Sequence, residues 1–270
     1  MYLGIDVGGT KTLVASLDDS GVILAQQKFP TPQDYQEFLA ELSRSIELLG
    51  VKDFRAAGIG IPVTSMQREE GIALTFSNLD WRNVKVQQDL ERLTQCPVAV
   101  ENDAKLAGLS ESMLRNEIRK LLYVTVSTGI GYSLVIDHHI DPNIGDGGGR
   151  LLLLEHKNKL VPWESFASGK AIVATFGKKA KDITDNETWQ IIARNISLGL
   201  IELIAVTEPE MIVIGGSVGV YLDRFIAPLN NYMRSMETPL VKNPRIEGAS
   251  RPEEAVVYGC YDYAKQVFRD

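Results

Sequence analysis

The sequence predicts an α/β protein built from two similar halves. Two observations carry this. A strand hairpin with glycines at its tip opens the chain, and a second such hairpin restarts the pattern near residue 121. Each then leads into alternating short apolar strands and amphipathic helices, the signature of sheets covered by helices.

Tyr2-Val7 and Thr12-Asp18 are apolar or alternating, with Gly8-Gly9 between them, and Val22-Phe29 supplies a third strand. From Gln33 to Gly50, Tyr35, Phe38, Leu39, Leu42, Ile46 and Leu49 recur at three and four residues, which predicts a helix stopped by Gly50. Ala56-Ile61 and Val98-Val100 read as strands buried on both faces. The second runs into Glu101-Asn102-Asp103-Ala104, where Asn102 or Asp103 can cap a helix reaching about Asn116. The hairpin Leu121-Thr128 and Gly131-Ile136 follows. Helices are then predicted near Trp163-Phe176 and Trp189-Thr207, a strand at Met211-Ile214, and helices at Tyr221-Met236 and Pro252-Phe268. The domain boundary is expected near 115, giving halves 1–115 and 116–251, with residues 252–270 folding back onto the first.

The 270 residues carry 28 Lys+Arg against 35 Asp+Glu, a formal net charge of −7, and 44% are hydrophobic. That is globular composition, and a chain with an acidic balance and no basic cluster is not built to bind nucleic acid or an anionic membrane. No apolar run is expected to span a bilayer, which takes roughly 20 residues. Cys96 and Cys260 belong to no pair motif, so neither a disulfide framework nor a cysteine zinc site is expected. With no leader segment at Met1-Asp6, the reading places the protein in the cytoplasm.

Four motifs carry chemistry. In Asp6-Val7-Gly8-Gly9-Thr10-Lys11-Thr12, glycines let backbone approach a phosphate, Thr10 and Thr12 add hydroxyls, Lys11 adds charge, and Asp6 can hold hydrated Mg²⁺. In Glu101-Asn102-Asp103-Ala104, a carboxylate at a strand-to-helix junction can accept a hydroxyl proton beside an amide that fixes the substrate. Ser127-Thr128-Gly129-Ile130-Gly131 repeats the phosphate cradle, and Ile214-Gly215-Gly216-Ser217 lets a flat ring approach backbone. Taken singly, each is equally a tight turn or a plain helix cap.

Together and in this order they resemble the ROK family of sugar kinases, within the actin-like ATPase superfamily. Further matching segments are Gly58-Pro62, Ser77-Trp81 and Trp163-Ile172. The resemblance implies two actin-like (ribonuclease H-like) α/β domains with a sugar and ATP in a central cleft that closes on binding, limiting ATP hydrolysis. It makes Asp103 the general base, with Asn102, Glu164 and Asn78 on sugar hydroxyls. Asp6 then orients Mg²⁺ with ATP, Gly8, Gly9, Thr10, Lys11 and Thr12 bind phosphates with Ser127, Thr128, Gly129 and Gly131, and Gly215 and Gly216 lie under the adenosine. It also implies a homodimer, although no apolar interface stripe is evident.

Three departures stand out. Where relatives carry Gly-Glu-x-Gly-His, this chain has Asp146-Gly147-Gly148-Gly149-Arg150, so both side chains are lost. The family's zinc loop with three cysteines is missing, so no zinc is expected. The glycine that often opens the second phosphate loop is Ser127. Glu155-His156 is either a substitute for the lost pair or a solvated strand end, and His138-His139 is expected at an exposed hairpin tip. The leading expectation is an ATP-dependent kinase of a hexose or hexose derivative. The alternatives are a polyphosphate-dependent glucokinase and a sugar- or nucleotide-binding regulator without catalysis. A repressor would need a helix-turn-helix domain before the first loop, where Asp6 leaves no room.

Overall fold

The computed structural model describes residues 1–51, 53–238, 243–251 and 253–268. Strands β1 (Tyr2–Val7), β2 (Lys11–Leu17) and β3 (Ile23–Pro30) precede helix α1 (Tyr35–Leu48). Then come β4 (Ala56–Ile61), β5 (Val63–Gln67), β6 (Ile72–Phe76), α2 (Val86–Thr94), β7 (Val98–Asn102) and α3 (Asp103–Met113). The second stretch holds β8 (Lys120–Val126), β9 (Ile130–Ile136), β10 (His139–Ile140), β11 (Leu153–His156), β12 (Lys159–Pro162), α4 (Glu164–Ala167), α5 (Gly169–Phe176) and α6 (Asn186–Thr207). It continues with β13 (Met211–Gly215), α7 (Gly216–Gly219), α8 (Leu222–Ser235) and β14 (Arg245–Gly248), and α9 (Ala255–Val267) ends the series. Pro252, where the sequence starts its last helix, lies outside the described residues, as do 269 and 270.

The chain divides into two units, Met1–Ser110 with Glu253–Asp270, and Glu111–Pro252. The first unit has a five-stranded sheet in the order β3-β2-β1-β4-β7, antiparallel among the first three and parallel from β1 onward. α9 belongs to this unit and packs against β1 and β4, where bare backbone receives it. A Cβ on Gly58 would sit 2.2 Å from the Cys260 carbonyl oxygen, and one on Gly4 would sit 2.9 Å from that of Val257. Such distances are closer than any side chain tolerates, so only glycine allows this approach. On the other face, Phe38, Leu42 and Ile46 of α1 join Ile5, Ile59, Phe76, Trp81 and Leu90 in the core.

The second unit repeats the plan as β10-β9-β8-β13-β14, again antiparallel among the first three and parallel beyond. Its core gathers Trp163, Trp189, Ile196, Leu200, Ile212, Ile214, Phe225 and Leu229, with the rings of Trp189 and Phe225 stacked at 5.6 Å. The expectation that no apolar run approaches membrane-spanning length is corrected at α6, whose 22 residues are long and apolar enough to cross a bilayer. Its apolar positions Trp189, Ile192, Ile196, Leu200, Leu203 and Ile204 are buried in the core, which accounts for their composition. Asp137 and His138 turn the β9–β10 hairpin at φ 48° and 62°, and the His138 Nδ1 lies 2.8 Å from the Ser112 hydroxyl.

Candidate active site

The first unit aligns its chemistry along one row of the sheet. Asp6 pairs with Gly60 across β1 and β4, and Gly60 pairs with Glu101 across β4 and β7. Because Gly60 has no side chain, Val256 and the start of α3 pack directly onto β4 between Asp6 and the end of β7. A Cβ there would lie 2.4 Å from Val256 Cγ1 and 3.5 Å from the Asp103 Cα. Asp6 and Asp103 therefore feel one another. Burial, with the Asp103 charge adding to it and Lys11 and Lys28 opposing, raises the Asp6 carboxyl to about 7. Burial raises Asp103 to about 6 against the backbone N–H groups of Ala104 and of Asp103 itself. A carboxyl raised toward neutrality, as that of Asp103 is, suits a general base at physiological pH.

The strand-to-helix junction holds Asp103 firmly. Asn102 Oδ1 accepts from the N–H of Ala104 at 2.9 Å and of Lys105 at 3.3 Å, so Asn102 caps α3. Its Nδ2 donates to the Val63 carbonyl at 3.0 Å, which leaves one amide N–H of the pair to reach a ligand. The preceding Glu101 is buried and takes both Arg68 Nε and Nη2 at 2.9 Å, while its Oε1 accepts from the Asn102 backbone at 2.7 Å. Arg68 follows β5, so the β5–β6 hairpin is tied to the junction twice. In the sequence Glu101 stands only as a member of its motif, with no role of its own, and Arg68 lies outside every motif.

In the first glycine loop, Gly8 N–H donates to the Lys11 carbonyl at 3.0 Å and closes the turn, with Thr10 and Lys11 exposed. Asn78 is exposed beside it, and a Cβ on Gly9 would lie 2.6 Å from the Asn78 Cβ. Leu79 and Trp81, both buried, anchor the segment that carries Asn78. Thr12 differs from expectation: it is wholly buried, its hydroxyl shares a 2.9 Å hydrogen bond with Thr31, and Thr31 donates to the Gly8 carbonyl at 2.8 Å. Thr12 props the loop from beneath and does not line it.

The second unit holds a cavity of about 790 Å³. Ser127 and Thr128 of the β8–β9 turn, Lys170, Lys179 and Lys181, and Ser217 line its polar side, and Val173, Val218 and Tyr221 its apolar side. Among the described residues no carboxylate lines it. The turn is fastened by the Gly169 N–H donating to the Ser127 carbonyl at 2.6 Å, at the start of α5. Lys170 lies within the Trp163-Ile172 segment, where the sequence marks no role for it, and Lys179 and Lys181 come from outside every motif, at and beside the 3₁₀ turn Ala180–Asp182.

Gly215 and Gly216 also have a packing role in the fold. Gly216 has φ +83° and a Cβ there would lie 2.5 Å from the Val126 carbonyl oxygen, and one on Gly215 would lie 2.3 Å from the Tyr123 hydroxyl. Packing of the β13–α7 turn on β8 demands both glycines. Gly215 lines a different cavity, of about 580 Å³, and Ser217 is the member of this segment that lines the larger one.

Glu164 opens α4 with Oε1 3.1 Å from Arg150 Nε and Oε2 3.5 Å from the Ile130 N–H. A Cβ on Gly129 would lie 2.8 Å from that second oxygen. Gly131 follows Ile130 in β9, half-buried. Glu155 is exposed, and the His156 ring stacks on Phe166 at 4.2 Å with its pKa lowered, first by burial. Among the described residues no group of three or more His, Cys, Asp or Glu side chains could hold a metal ion. A single carboxylate such as Asp6 still suits Mg²⁺, which keeps several waters and takes further oxygens from phosphates.

Comparison with known proteins fits this arrangement. An N-acetylmannosamine kinase of Escherichia coli is 28% identical over 272 residues, covering 90% of this chain and 89% of the relative. A glucokinase of Streptomyces coelicolor is 24% identical over 272 residues, covering 85% and 86%. The crystal structure of a ROK family glucokinase from Streptomyces griseus, in complex with glucose and AMPPNP, superposes with a TM-score of 0.81 at 21% identity, covering 98% of this chain and 99% of that one. That likeness is one of fold, the two-domain actin-like α/β fold. The ROK family model matches residues 2–149 and 158–267, and the chain belongs to the ROK family.

Proposed function

We propose that the protein is an ATP-dependent sugar kinase, a phosphotransferase with the hydroxyl of a hexose or hexose derivative as acceptor. The observation that carries the reading is the pair Asp6 and Asp103, brought together across the bare Gly60 with both carboxyls raised toward neutrality. In this reading Asp103 accepts the proton of the acceptor hydroxyl, and in the same unit the amide N–H left on Asn102 and the side chain of Asn78 hold sugar hydroxyls; in the second unit Glu164 is a residue for sugar hydroxyls. Gly8, Gly9, Thr10 and Lys11 cradle phosphate, with Thr12 as their support. The cavity bounded by Thr128, Lys170, Lys179 and Lys181 suits the polyphosphate of a nucleotide, and its apolar side near Tyr221 suits the base. Asp6 would hold Mg²⁺ through water, and the ion would neutralise charge developing on the transferred phosphoryl group. The names of the relatives, glucokinase and N-acetylmannosamine kinase, support the reaction class and leave the sugar open.

The test is ADP release from ATP and Mg²⁺ across a panel of hexoses and amino sugars, with inorganic polyphosphate as a parallel donor. Sugar-dependent ADP release that disappears in Asp103→Asn supports the reading. Turnover that no sugar stimulates, or that the variant retains, refutes it.

A further inference from the structure

Arg150 stands at the end of the Gly-rich turn, and its support is rigid. Gly147 and Gly148 take φ +76° and +52°, and a Cβ on Gly148 would lie 2.3 Å from the Ile130 carbonyl oxygen. A Cβ on Gly149 would lie 2.9 Å from Ile130 Cβ and 3.4 Å from the Glu164 backbone nitrogen. The turn is therefore pressed onto the start of β9, beside the Ser127–Gly131 loop, at a separation that no side chain could enter. From that base Arg150 Nε reaches Glu164 Oε1 at 3.1 Å, and the other carboxylate oxygen faces the Ile130 N–H.

The charge of Glu164 is thus met inside the protein. A guanidinium offers five N–H donors in a planar fork, of which the contact with Glu164 engages the one on Nε. Among the described residues no other hydrogen bond or ion pair engages the Arg150 side chain, which is 46% exposed where that of Glu164 is 22% exposed. Arg150 is thus the more exposed member of the pair, and its Nη edge is left uncommitted by the contact with Glu164. That edge matches two oxygens of one planar or tetrahedral anion, and it gains much less from a single neutral hydroxyl.

We propose that Arg150 is a specificity-determining residue that selects an acceptor sugar bearing an oxyanion, a carboxylate or a phosphate, over a plain hexose. This rests on the sugar-kinase reading. It deepens that reading by naming the chemical class of the acceptor. Glu164 orients the fork and the Nη edge binds the anion.

The experiment compares kcat/KM for a hexuronate, a hexose phosphate, an N-acetylhexosamine and a plain hexose, in the wild type, Arg150→Met and Arg150→Lys. The wild type should favour one of the two anionic sugars over the plain hexose at least tenfold, and the hexuronate and hexose phosphate arms tell which anion it takes. Arg150→Met should reduce that ratio at least tenfold. Arg150→Lys, which keeps the charge without the fork, should fall between, and it reads the same ratio should the Met variant not fold. A wild type that prefers the plain hexose or the N-acetylhexosamine, or a ratio that survives Arg150→Met, overturns the proposal. Titration calorimetry without nucleotide separates this from the kinase reading. If no sugar is turned over, saturable binding of an anionic sugar that weakens tenfold or more in Arg150→Met still supports the role of Arg150, and absence of such binding overturns it.

Discussion

The side-chain amide of Asn102 donates to the carbonyl of Val63 at 3.0 Å while its oxygen caps α3, so one residue fastens the helix start to the neighbouring hairpin. Asn102→Ala removes the cap and leaves the Val63 carbonyl without this donor. The expected loss is about 1–3 kcal/mol of unfolding free energy, measured by urea titration. Asn102→Asp keeps a cap but sets a buried carboxylate oxygen against the Val63 carbonyl, so it should also destabilise, and more at pH 8 than at pH 4.

Asp103→Asn should raise stability while removing activity. The folded carboxyl sits at about 6, above its ordinary 3.8, so its contribution is fully present below about pH 4 and lost as pH climbs through 6. Asn carries no charge to bury and can keep the bond from the Ala104 N–H. At roughly 1.4 kcal/mol per unit, the variant should gain on the order of 3 kcal/mol at pH 8 and little at pH 4, read from thermal melts in the two buffers. In the wild type, kcat/KM should fall tenfold per unit below about pH 6, as the base is protonated.

The charge of Asp103 is the second cause, after burial, of the Asp6 shift. Carbon-13 NMR of the Asp carboxyl groups in the ligand-free protein should therefore show a titration near 7 that moves down in Asp103→Asn. Lys28→Met should move it up, because Lys28 opposes the shift. An Asp6 midpoint unchanged in both variants would contradict the coupling.

Two glycines separate backbone conformation from crowding. Gly50 has φ +71° with nothing within 4 Å of the place a Cβ would take, whereas Gly216 has φ +83° and the Val126 oxygen 2.5 Å away. Gly50→Ala should cost about 1 kcal/mol, the conformational penalty alone. Gly216→Ala adds a clash with backbone and should cost at least about twice as much by the same denaturant titration.

The motifs were legible because their physics is local. Glycines at a hairpin tip, a carboxylate at a strand end and an Asn cap each leave a mark within a few residues, and these segments fold as the pattern predicts. Other elements gave weaker marks. The β11–β12 hairpin turns at Lys157 and Asn158 with φ 52° and 60°, and α2 stops at Gln95 with φ 55°, so none of these turns shows a glycine. The strands β5, β6 and β14 are four or five residues long and only partly buried, too short for alternation to register. In the site, Thr12 has the look of a phosphate ligand by spacing, and only its burial against Thr31 shows otherwise. Lys179 and Lys181 join Thr128 only through the tertiary fold. Burial and long-range convergence are the two properties that spacing along the chain does not encode.

The packing of α9 on Gly4 and Gly58 also bears on how the chain folds as it is synthesised. The second unit is one continuous stretch and can finish folding once its own residues have emerged. The first unit has its sheet complete by β7, yet it waits for a helix made roughly 150 residues later. Until then the glycine backbone of β1 and β4 that receives α9 lies uncovered on the nascent sheet.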